Sequence, residues 1–448
     1  MFGTALEIKK TLNAELSGNG DISFEGISTD SRTFKDGEIF LALKGKNFDG
    51  HGFINELLGR AKGFIVEKGT AIKGGKDFFV IYVNNTLDAY ATLANYWRKK
   101  INPKVISVTG SLGKTTTKEL IAAVLAKKFK VLKTHANLNN IIGLSRTLLS
   151  LKDEEIAVLE LGINNVGEME SLCQIALPDI GIVTNIAPVH LEGLESLSKI
   201  YMEKKVILDY SKEAVFINKE DSFLKNYQKK GIKKIFFGKG SPISYSKTEF
   251  QDFKSMSLSV YVNEEKLNVI FPYINLGLPI LISLAAGVGK YFGVRNQDII
   301  DAIAAVKLPR LRMEILEFKN KKIILDAYNA NPVSVKYAIK SLLKLEGKKK
   351  SVIIGDIKEL GKYSRYYHVL LGRFLAKIPL RHIVLVGEEI YNTHLYLKNL
   401  GIKSHHFKNV EEARKIFEKI LKDSDILLIK GSRAVELEKI LGETVYVV

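Results

Sequence analysis

The residues best suited to chemistry form a short glycine loop, Gly110-Ser111-Leu112-Gly113-Lys114-Thr115-Thr116. The loop follows an apolar, β-branched run at 105–109 and precedes a predicted helix at 114–128. Such a turn directs backbone N–H groups at phosphate oxygens, and the helix N-terminus favours negative charge. Lys114 can reach the terminal phosphates of a nucleotide, and the Thr115 hydroxyl can ligate Mg²⁺. The loop is shorter than the common GxxxxGK[ST] form, so a plain glycine turn that starts a helix is the alternative.

Two more polar residues follow predicted strands. Glu160 ends an apolar run at 156–161, where nucleotide-binding sheets place a carboxylate that binds a metal. Its position alone fits a helix cap before Gly162 equally well. His190 follows the run at 180–185, and a lone histidine is either a metal ligand or a structural residue.

The elements that position these residues fall into three regions, which predict an α/β protein of three domains. Residues 1–98 mix short apolar runs with glycine-rich turns, as in a small α/β domain. Residues 99–310 alternate strands and helices around the glycine loop, which predicts a parallel sheet of the P-loop ATPase type. A further strand–helix series over 311–448 predicts a Rossmann-like C-terminal domain.

Composition narrows the class of protein. The chain of 448 residues is 46% hydrophobic, so it has ample apolar surface for several cores. A single cysteine, Cys173, excludes an intrachain disulfide framework, and the most apolar stretch, 276–288, is too short and too interrupted to span a membrane. The N-terminus lacks a secretory signal pattern, so we expect a cytoplasmic protein. We also expect a monomer.

The net charge of +18 raises the alternative of a P-loop ATPase that binds nucleic acid. The excess is rich in lysine, mostly scattered, and has no accompanying stripe of aromatic residues. We therefore expect no nucleic-acid partner. Salt-dependent binding of DNA or RNA in a shift assay would support the alternative.

The motifs resemble those of the Mur ligases, the ATP-dependent enzymes that build the peptide stem of bacterial cell-wall precursors. The resemblance covers essentially the whole chain. It is carried in the central region by Thr109–Thr117 (TGSLGKTTT), 137–140 (NLNN), 160–162 (ELG) and 184–193 (TNIAPVHLEG), in the C-terminal region by 326–332 (DAYNANP), 355–361 (GDIKELG) and 430–433 (KGSR), and in the N-terminal region by 29–32 (TDSR) and 49–51 (DGH).

The resemblance implies the reaction and its substrates. The C-terminal stretches match the family member that adds D-alanyl-D-alanine to UDP-N-acetylmuramoyl-tripeptide. ATP would phosphorylate the substrate carboxylate, and the dipeptide amine would attack the acyl phosphate. The cofactors implied are ATP, two Mg²⁺ ions and a carbamylated lysine. The N-terminal domain would bind the uridine nucleotide.

The resemblance also assigns roles residue by residue. Lys114, His190 and Lys204 would be catalytic, with Thr115 and Glu160 on one Mg²⁺ and His190 and carbamylated Lys204 on the other. The expected nucleotide contacts are Gly110, Ser111, Leu112, Gly113, Lys114, Thr115, Thr116, Asn140, Arg312, Asp326, Tyr328 and Asn329. The expected contacts to the other substrates are Thr29, Asp30, Ser31, Arg32, Asp49, Gly50, His51, Lys430, Ser432 and Arg433.

The chain departs from the family pattern on the adenine side. Leu278, Pro279 and Ile282 replace side chains that normally bind there, so we expect altered affinity or selectivity for the nucleotide. Leu311 replaces a glycine before Arg312. Two alternatives remain at this point: another amide ligase of the superfamily, such as the preceding cell-wall ligase or a folate polyglutamylating enzyme, or a degenerate relative with a scaffold role.

Overall fold

A computed structural model describes residues 3–45, 48–251 and 253–442 of the chain. Its three larger sheets each take their strands from one of the three predicted regions. The α/β class and the three-part architecture are therefore confirmed. The last part of the predicted C-terminal domain, 443–448, lies outside the described residues.

The N-terminal region contains a small mixed sheet of strand order β2-β7-β6-β5-β4, in which β4 to β7 are parallel. Its elements are β1 (Gly3–Thr4), α1 (Ala5–Leu12), β2 (Glu15–Ser17), β3 (Ser23–Phe24), β4 (Ile27–Ser28), β5 (Ile39–Leu41), α2 (Ile54–Leu57), β6 (Gly63–Glu67), β7 (Phe79–Val83) and α3 (Thr86–Ile101). Helix α3 begins at the Asn85 side chain, which accepts hydrogen bonds from two first-turn amides. The predicted boundary at 98/99 falls inside α3, so the boundary itself stays a prediction.

The central sheet holds the glycine loop. Its elements are β8 (Lys104–Thr109), α4 (Lys114–Leu125), β9 (Val131–Lys133), α5 (Ile141–Leu149), β10 (Ile156–Glu160), α6 (Glu168–Ala176), β11 (Ile180–Val183), α7 (Leu191–Leu194), α8 (Leu197–Tyr210), β12 (Ala214–Asn218), β13 (Lys233–Phe237), β14 (Ile243–Tyr245), β15 (Glu249–Gln251), β16 (Ser255–Val262), β17 (Glu265–Phe271), α9 (Pro279–Tyr291) and α10 (Asn296–Ala305). Strand β8 lies between β10 and β11, and all three are parallel. Their carboxyl ends therefore bring the loop, Glu160 and the 184–190 segment to one edge.

The antiparallel strands β14 to β17 differ from the all-parallel sheet that the sequence predicts for this region. Strand β16 pairs with β14, β15 and β17 in antiparallel register. Along β16 every second residue is buried, which is the pattern of a strand with only one covered face. The prediction followed continuous apolar runs and so missed this alternating segment.

Helix α9 carries much of the chain's most apolar stretch and packs behind the glycine loop. Its Leu281 side chain lies so close to Gly113 that a Cβ there would come within 2.5 Å of it. Ile282 and Leu284 are fully buried in the core between α4, α9 and the sheet. In the described part of the chain, no helix is long and apolar enough to cross a membrane.

The C-terminal sheet has the strand order β18-β19-β23-β20-β21-β22, and all but β18 are parallel. Its elements are β18 (Glu314–Phe318), β19 (Lys321–Asp326), α11 (Pro332–Lys344), β20 (Lys350–Gly355), α12 (Ser364–Leu375), β21 (His382–Val386), α13 (Tyr391–Asn399), β22 (His405–Phe407), α14 (Val410–Lys422) and β23 (Ile426–Lys430). Asp326 and Lys430 end neighbouring strands in register. This edge faces the central domain.

Candidate active site

The glycine loop needs glycine at both ends. Gly110 has φ +148°, and a Cβ at this position would lie 1.8 Å from the Thr184 hydroxyl oxygen. Gly113 has φ +77° and precedes the first turn of α4. The Asn185 backbone and side chain accept hydrogen bonds from the Ser111 and Leu112 amides, each at 3.0 Å. The segment after β11 therefore fixes the loop while the first turn of α4 leaves amides without an intrahelical acceptor.

Lys114 lies at the centre of the charges in this site. Its Nζ donates to the Gly110 carbonyl at 2.9 Å, so the ammonium lies over the loop. Burial lowers the pKa of Lys114, the Glu160 carboxylate opposes that shift, and the Arg312 guanidinium adds to it. Two cations and a carboxylate thus converge where phosphate oxygens would lie.

Glu160 ends β10 beside the loop and is 2% exposed. One carboxylate oxygen accepts from the Asn139 amide at 2.8 Å, and the other has no hydrogen-bond partner in the described structure. A buried, unsatisfied carboxylate oxygen is unfavourable unless a cation or a donor binds it. This arrangement fits a metal ligand better than a helix cap, since α6 begins only at Glu168.

His190 follows β11 with φ +50°, an uncommon conformation for a residue other than glycine. Its Nδ1 lies 2.6 Å from a carboxylate oxygen of Glu359, which belongs to the C-terminal domain. The hydrogen bond from His190 lowers the pKa of Glu359, burial opposes that shift, and the charge of Lys114 adds to it. His190 of the central domain therefore contacts a residue of the C-terminal domain directly.

Lys204 lies on α8, and its side chain is fully buried. Its Nζ has no hydrogen-bond partner among the described residues. Burial holds the pKa of Lys204 well below its ordinary value, the nearby charge of Lys114 lowers it further, and Glu203 opposes both. The neighbouring Lys205 instead pairs with Asp209 at 3.0 Å on the same helix, as expected of a surface lysine.

The C-terminal domain contributes a second polar group. Arg312 donates to the Thr115 hydroxyl at 3.2 Å, and its guanidinium lies 4.3 Å from the centre of the Tyr328 ring. Lys430, almost fully buried, donates to the Asp326 carboxylate at 2.7 Å and to the Asn329 carbonyl at 3.0 Å. The residues predicted from 312–329 and Lys430 therefore meet the glycine loop across the domain interface.

A cleft of about 890 Å³ lies between these two groups and is large enough for a nucleotide. Its lining includes Ser111, Leu112, Gly113, Lys114, Thr115, Thr116, Asn140, Glu160, His190, Arg312, Asp326, Tyr328, Asn329 and Lys430. Asn140 also accepts from the Gly143 amide, which gives it a structural role as the N-cap of α5. On the adenine side, Leu278 lines the cleft, Pro279 begins α9 and Ile282 is buried.

Other predicted substrate residues lie away from the cleft lining. Asp30 pairs with Arg32 at 2.7 Å, within the short helix Ser31–Thr33 and its N-cap. Asp49 likewise accepts from the backbone and the ring of His51 around Gly50–Phe53. Hydrogen bonding to Arg32 lowers the pKa of Asp30 to about 2, and the charge of Arg146 on α5 adds to that shift.

Two predicted residues of the C-terminal domain are also outside the lining. The Ser432 hydroxyl accepts from the Lys358 amide at 3.0 Å, and Arg433 pairs with Glu438. The roles predicted for these residues, and for the N-terminal motifs, stay predictions.

Three residues with clear positions in the site had no predicted role. Asn139 orients Glu160, Asn185 holds the loop, and Glu359 contacts His190. All three stand inside the motifs quoted above. The sequence did not reveal the contacts of these residues, because their partners lie on other strands or in another domain.

Family models match the central and C-terminal regions of the chain. Residues 108–277 match the Mur ligase middle domain, and residues 311–433 match the Mur ligase, glutamate ligase domain. The UDP-N-acetylmuramoyl-tripeptide–D-alanyl-D-alanine ligase of Rickettsia prowazekii (strain Madrid E) is 33% identical to this chain, over 98% of the chain and 99% of the relative. The chain belongs to the Mur ligase family.

Solved structures extend the similarity to three dimensions. A crystal structure of MurF from Acinetobacter baumannii matches with a TM-score of 0.91 and 29% identity, covering 99% of this chain and 98% of that one. The MurF ligase of Thermotoga maritima in complex with ADP matches with a TM-score of 0.83 and 30% identity, covering 93% and 96%. The family assignment from sequence is confirmed, and this Mur ligase is an ATP-dependent enzyme that forms a C–N bond.

Proposed function

We propose that this Mur ligase joins D-alanyl-D-alanine to UDP-N-acetylmuramoyl-tripeptide in the synthesis of peptidoglycan precursors. The observation that carries the proposal is the cleft in which Lys114, Glu160 and Arg312 converge from two domains. Relatives named for this reaction match the chain over nearly its whole length, which supports the choice of substrates. We further propose that the enzyme acts in the cytoplasm as a monomer.

A carboxylate reacts poorly with an amine, so the reaction must first convert it to an acyl phosphate. A carboxylate oxygen of the tripeptide attacks the γ-phosphorus of ATP, the bond to the bridging oxygen breaks, and ADP leaves. The dipeptide amine then attacks the acyl carbon, loses a proton, and phosphate leaves with the C–O bond electrons. Lys114 and the amides at the start of α4 stabilise charge on the phosphoryl oxygens as it moves.

The residues present fit the two Mg²⁺ ions of the family. Thr115 and Glu160 would hold one, since a buried Glu160 oxygen has no hydrogen-bond partner in the described part of the chain. His190 and Lys204 would hold the other. When bound, the ions neutralise phosphate and carboxylate charge. Among the described residues, histidine, cysteine, aspartate and glutamate side chains form no cluster of three suited to a metal, so the proposed donor set relies on Thr115 and a modified lysine.

Carbamylation of Lys204 would supply an oxygen donor. An ammonium buried without a hydrogen-bond partner is costly, and the carbamate formed with CO₂ reverses its charge while keeping its reach. The proposal is supported by the burial of Lys204 and by its closeness to the charge of Lys114. Lys205, whose ammonium is paired with Asp209, lacks these features.

We propose the three domains as 1–98, 99–310 and 311–448, each with one substrate. Thr29, Asp30, Ser31 and Arg32, with Asp49, Gly50 and His51, would bind the uridine nucleotide. Lys430, Ser432 and Arg433 would lie near the dipeptide or the domain interface. Arg312, Asp326, Tyr328 and Asn329 would face ATP once the domains close, which keeps water from the acyl phosphate.

The decisive experiment is a phosphate-release assay with each component omitted in turn. We expect turnover only when ATP, Mg²⁺, UDP-N-acetylmuramoyl-tripeptide and D-alanyl-D-alanine are all present. Turnover with a shorter UDP-muramoyl peptide and a single amino acid, or with a folate and glutamate, would instead identify a different ligase of the superfamily. Absence of turnover with the full set would favour a scaffold role.

A further inference from the structure

The contact between Glu359 and His190 joins the C-terminal and central domains at the active site. The two side chains meet at 2.6 Å, and the Glu359 carbonyl accepts from the Glu192 amide at 3.2 Å. Gly361 packs so tightly here that a Cβ on it would lie 3.1 Å from the Glu192 Cα. A side-chain contact and a backbone hydrogen bond of Glu359 therefore hold the two domains together at the same place.

The loop that presents Glu359 is held from within its own domain. The Lys358 ammonium bridges the carboxylates of Asp356 at 2.8 Å and Glu389 at 2.9 Å, and its amide donates to Ser432. Glu359 itself has φ +65°, a conformation that residues other than glycine seldom adopt. Uncommon backbone conformations persist where surrounding contacts determine them, and they concentrate at functional sites.

The hydrogen bond determines which ring nitrogen of His190 is free. With Nδ1–H donating to the carboxylate, Nε2 retains its lone pair and can bind a cation. In metal sites, a carboxylate that accepts from the second ring nitrogen orients the histidine and raises its basicity as a ligand. Within the described residues, Glu359 is the hydrogen-bond partner found for this ring.

We propose that Glu359 is a positioning residue for the ligase reaction, which sets the tautomer and orientation of His190 from the opposite domain. The cation site on His190 is then complete only after the C-terminal domain closes. This inference rests on the proposed role of His190 as a ligand. Closure of the C-terminal domain and completion of the cation site are then coupled, because the Glu359 carboxylate takes part in the domain contact and also orients His190.

The test measures cation binding rather than turnover alone. Mn²⁺, a paramagnetic substitute for Mg²⁺, is titrated into the full-length protein with a non-hydrolysable ATP analogue, and free Mn²⁺ is read by electron paramagnetic resonance. We compare the unmodified protein with His190→Ala, Glu359→Ala, the isosteric Glu359→Gln and the matched control Glu388→Gln. Glu388 is an exposed carboxylate in the same domain. Circular dichroism and thermal unfolding verify that each variant folds.

We expect Glu359→Ala to weaken, by about 10- to 100-fold, the Mn²⁺ binding event that His190→Ala removes, as for other carboxylates behind ligating histidines. Glu359→Gln, whose amide oxygen still accepts from Nδ1–H, should recover much of that loss. Glu388→Gln should bind as the unmodified protein does. kcat should fall with the Mn²⁺ affinity while the KM for D-alanyl-D-alanine changes little.

Two results would overturn the inference, and they differ in what else they affect. If His190→Ala loses a Mn²⁺ while folded Glu359→Ala binds it as tightly as the unmodified protein does, Glu359 has no positioning role and the proposed function stands. If His190→Ala binds both ions normally, the ligand role proposed for His190 is wrong and the inference fails with it.

Discussion

The central sheet edge and the N-terminal motif differ in whether their charged groups have hydrogen-bond or ion-pair partners within the protein. At the central edge, one oxygen of Glu160 is buried without a hydrogen-bond partner among the described residues, and so is the Nζ of Lys204 on the adjacent helix α8. In the N-terminal motif, Asp30 pairs with Arg32 two residues away, and Asp49 pairs with His51 in the same manner. The first pattern is costly unless something binds there, whereas the second is complete by itself.

A clear family motif in the sequence does not by itself mean that the structure holds a ligand-binding site there. Both regions carry recognisable family motifs, yet only the central edge shows groups whose chemistry calls for a ligand. Within the N-terminal motif Asp30 is half-buried, and the Arg32 side chain is exposed, at 86% accessible. The substrate role of this motif must therefore be tested by binding, while the central edge can be tested by catalysis.

The largest effect is expected from Lys114→Ala. This change removes a cation that stabilises charge as the phosphoryl group moves, which should cost on the order of 3 kcal/mol or more, at least about 100-fold in kcat. Phosphate release measures it, with Lys127→Ala, an exposed lysine shortly after the same helix, as the control. Turnover within a few-fold of the unmodified enzyme would show that the loop assignment is wrong.

A comparable loss is expected from Lys204→Ala, because the proposed carbamate is a charged ligand worth several kcal/mol, about 100-fold or more in kcat. A short-chain carboxylate in the buffer should restore part of the rate by supplying the missing oxygen donor. Lys205→Ala, which breaks only the surface pair with Asp209, should remain active. Full activity of Lys204→Ala would contradict the carbamate proposal.

A smaller effect is expected from Arg32→Ala in the N-terminal motif. If Arg32 binds the nucleotide diphosphate, losing one charge-assisted hydrogen bond should raise the KM for UDP-N-acetylmuramoyl-tripeptide about tenfold. kcat should change little, since the contact is equal in ground and transition states. Arg60→Ala, which removes another exposed arginine of that domain, is the control. An unchanged KM would leave the motif with a structural role only.

The smallest effect is a pH dependence within the same motif. Hydrogen bonding to Arg32 lowers the pKa of Asp30 from 3.8 to about 2, so folding favours the charged carboxylate. The stabilisation is therefore present above about pH 4 and is lost as the pH falls towards 2. Denaturant midpoints of Asp30→Asn should lie below those of the unmodified protein at pH 6, and the difference should shrink between pH 4 and pH 2. A difference that does not change with pH would contradict the Asp30–Arg32 pair. Asp77→Asn, at an exposed carboxylate of the same domain, serves as the control.

Much of the fold could be predicted from the sequence, because its signals are local. Continuous apolar runs predicted the parallel strands β8, β10 and β11, and the glycine loop predicted the start of α4. The antiparallel strands β14 to β17 were missed because the prediction followed continuous apolar runs, whereas β16 alternates buried and half-buried residues, as a strand with one covered face does.

The sequence by itself determined the residue types at and after the strand ends: the carboxylate Glu160, the cation Lys114 and the imidazole His190. Only the tertiary structure decided which of these groups remain unsatisfied and which pair across domains. Burial and hydrogen-bond partners depend on segments far apart in the chain. Glu359 reaches His190, and Arg312 reaches Thr115, only because two separately folded sheets meet at their carboxyl edges.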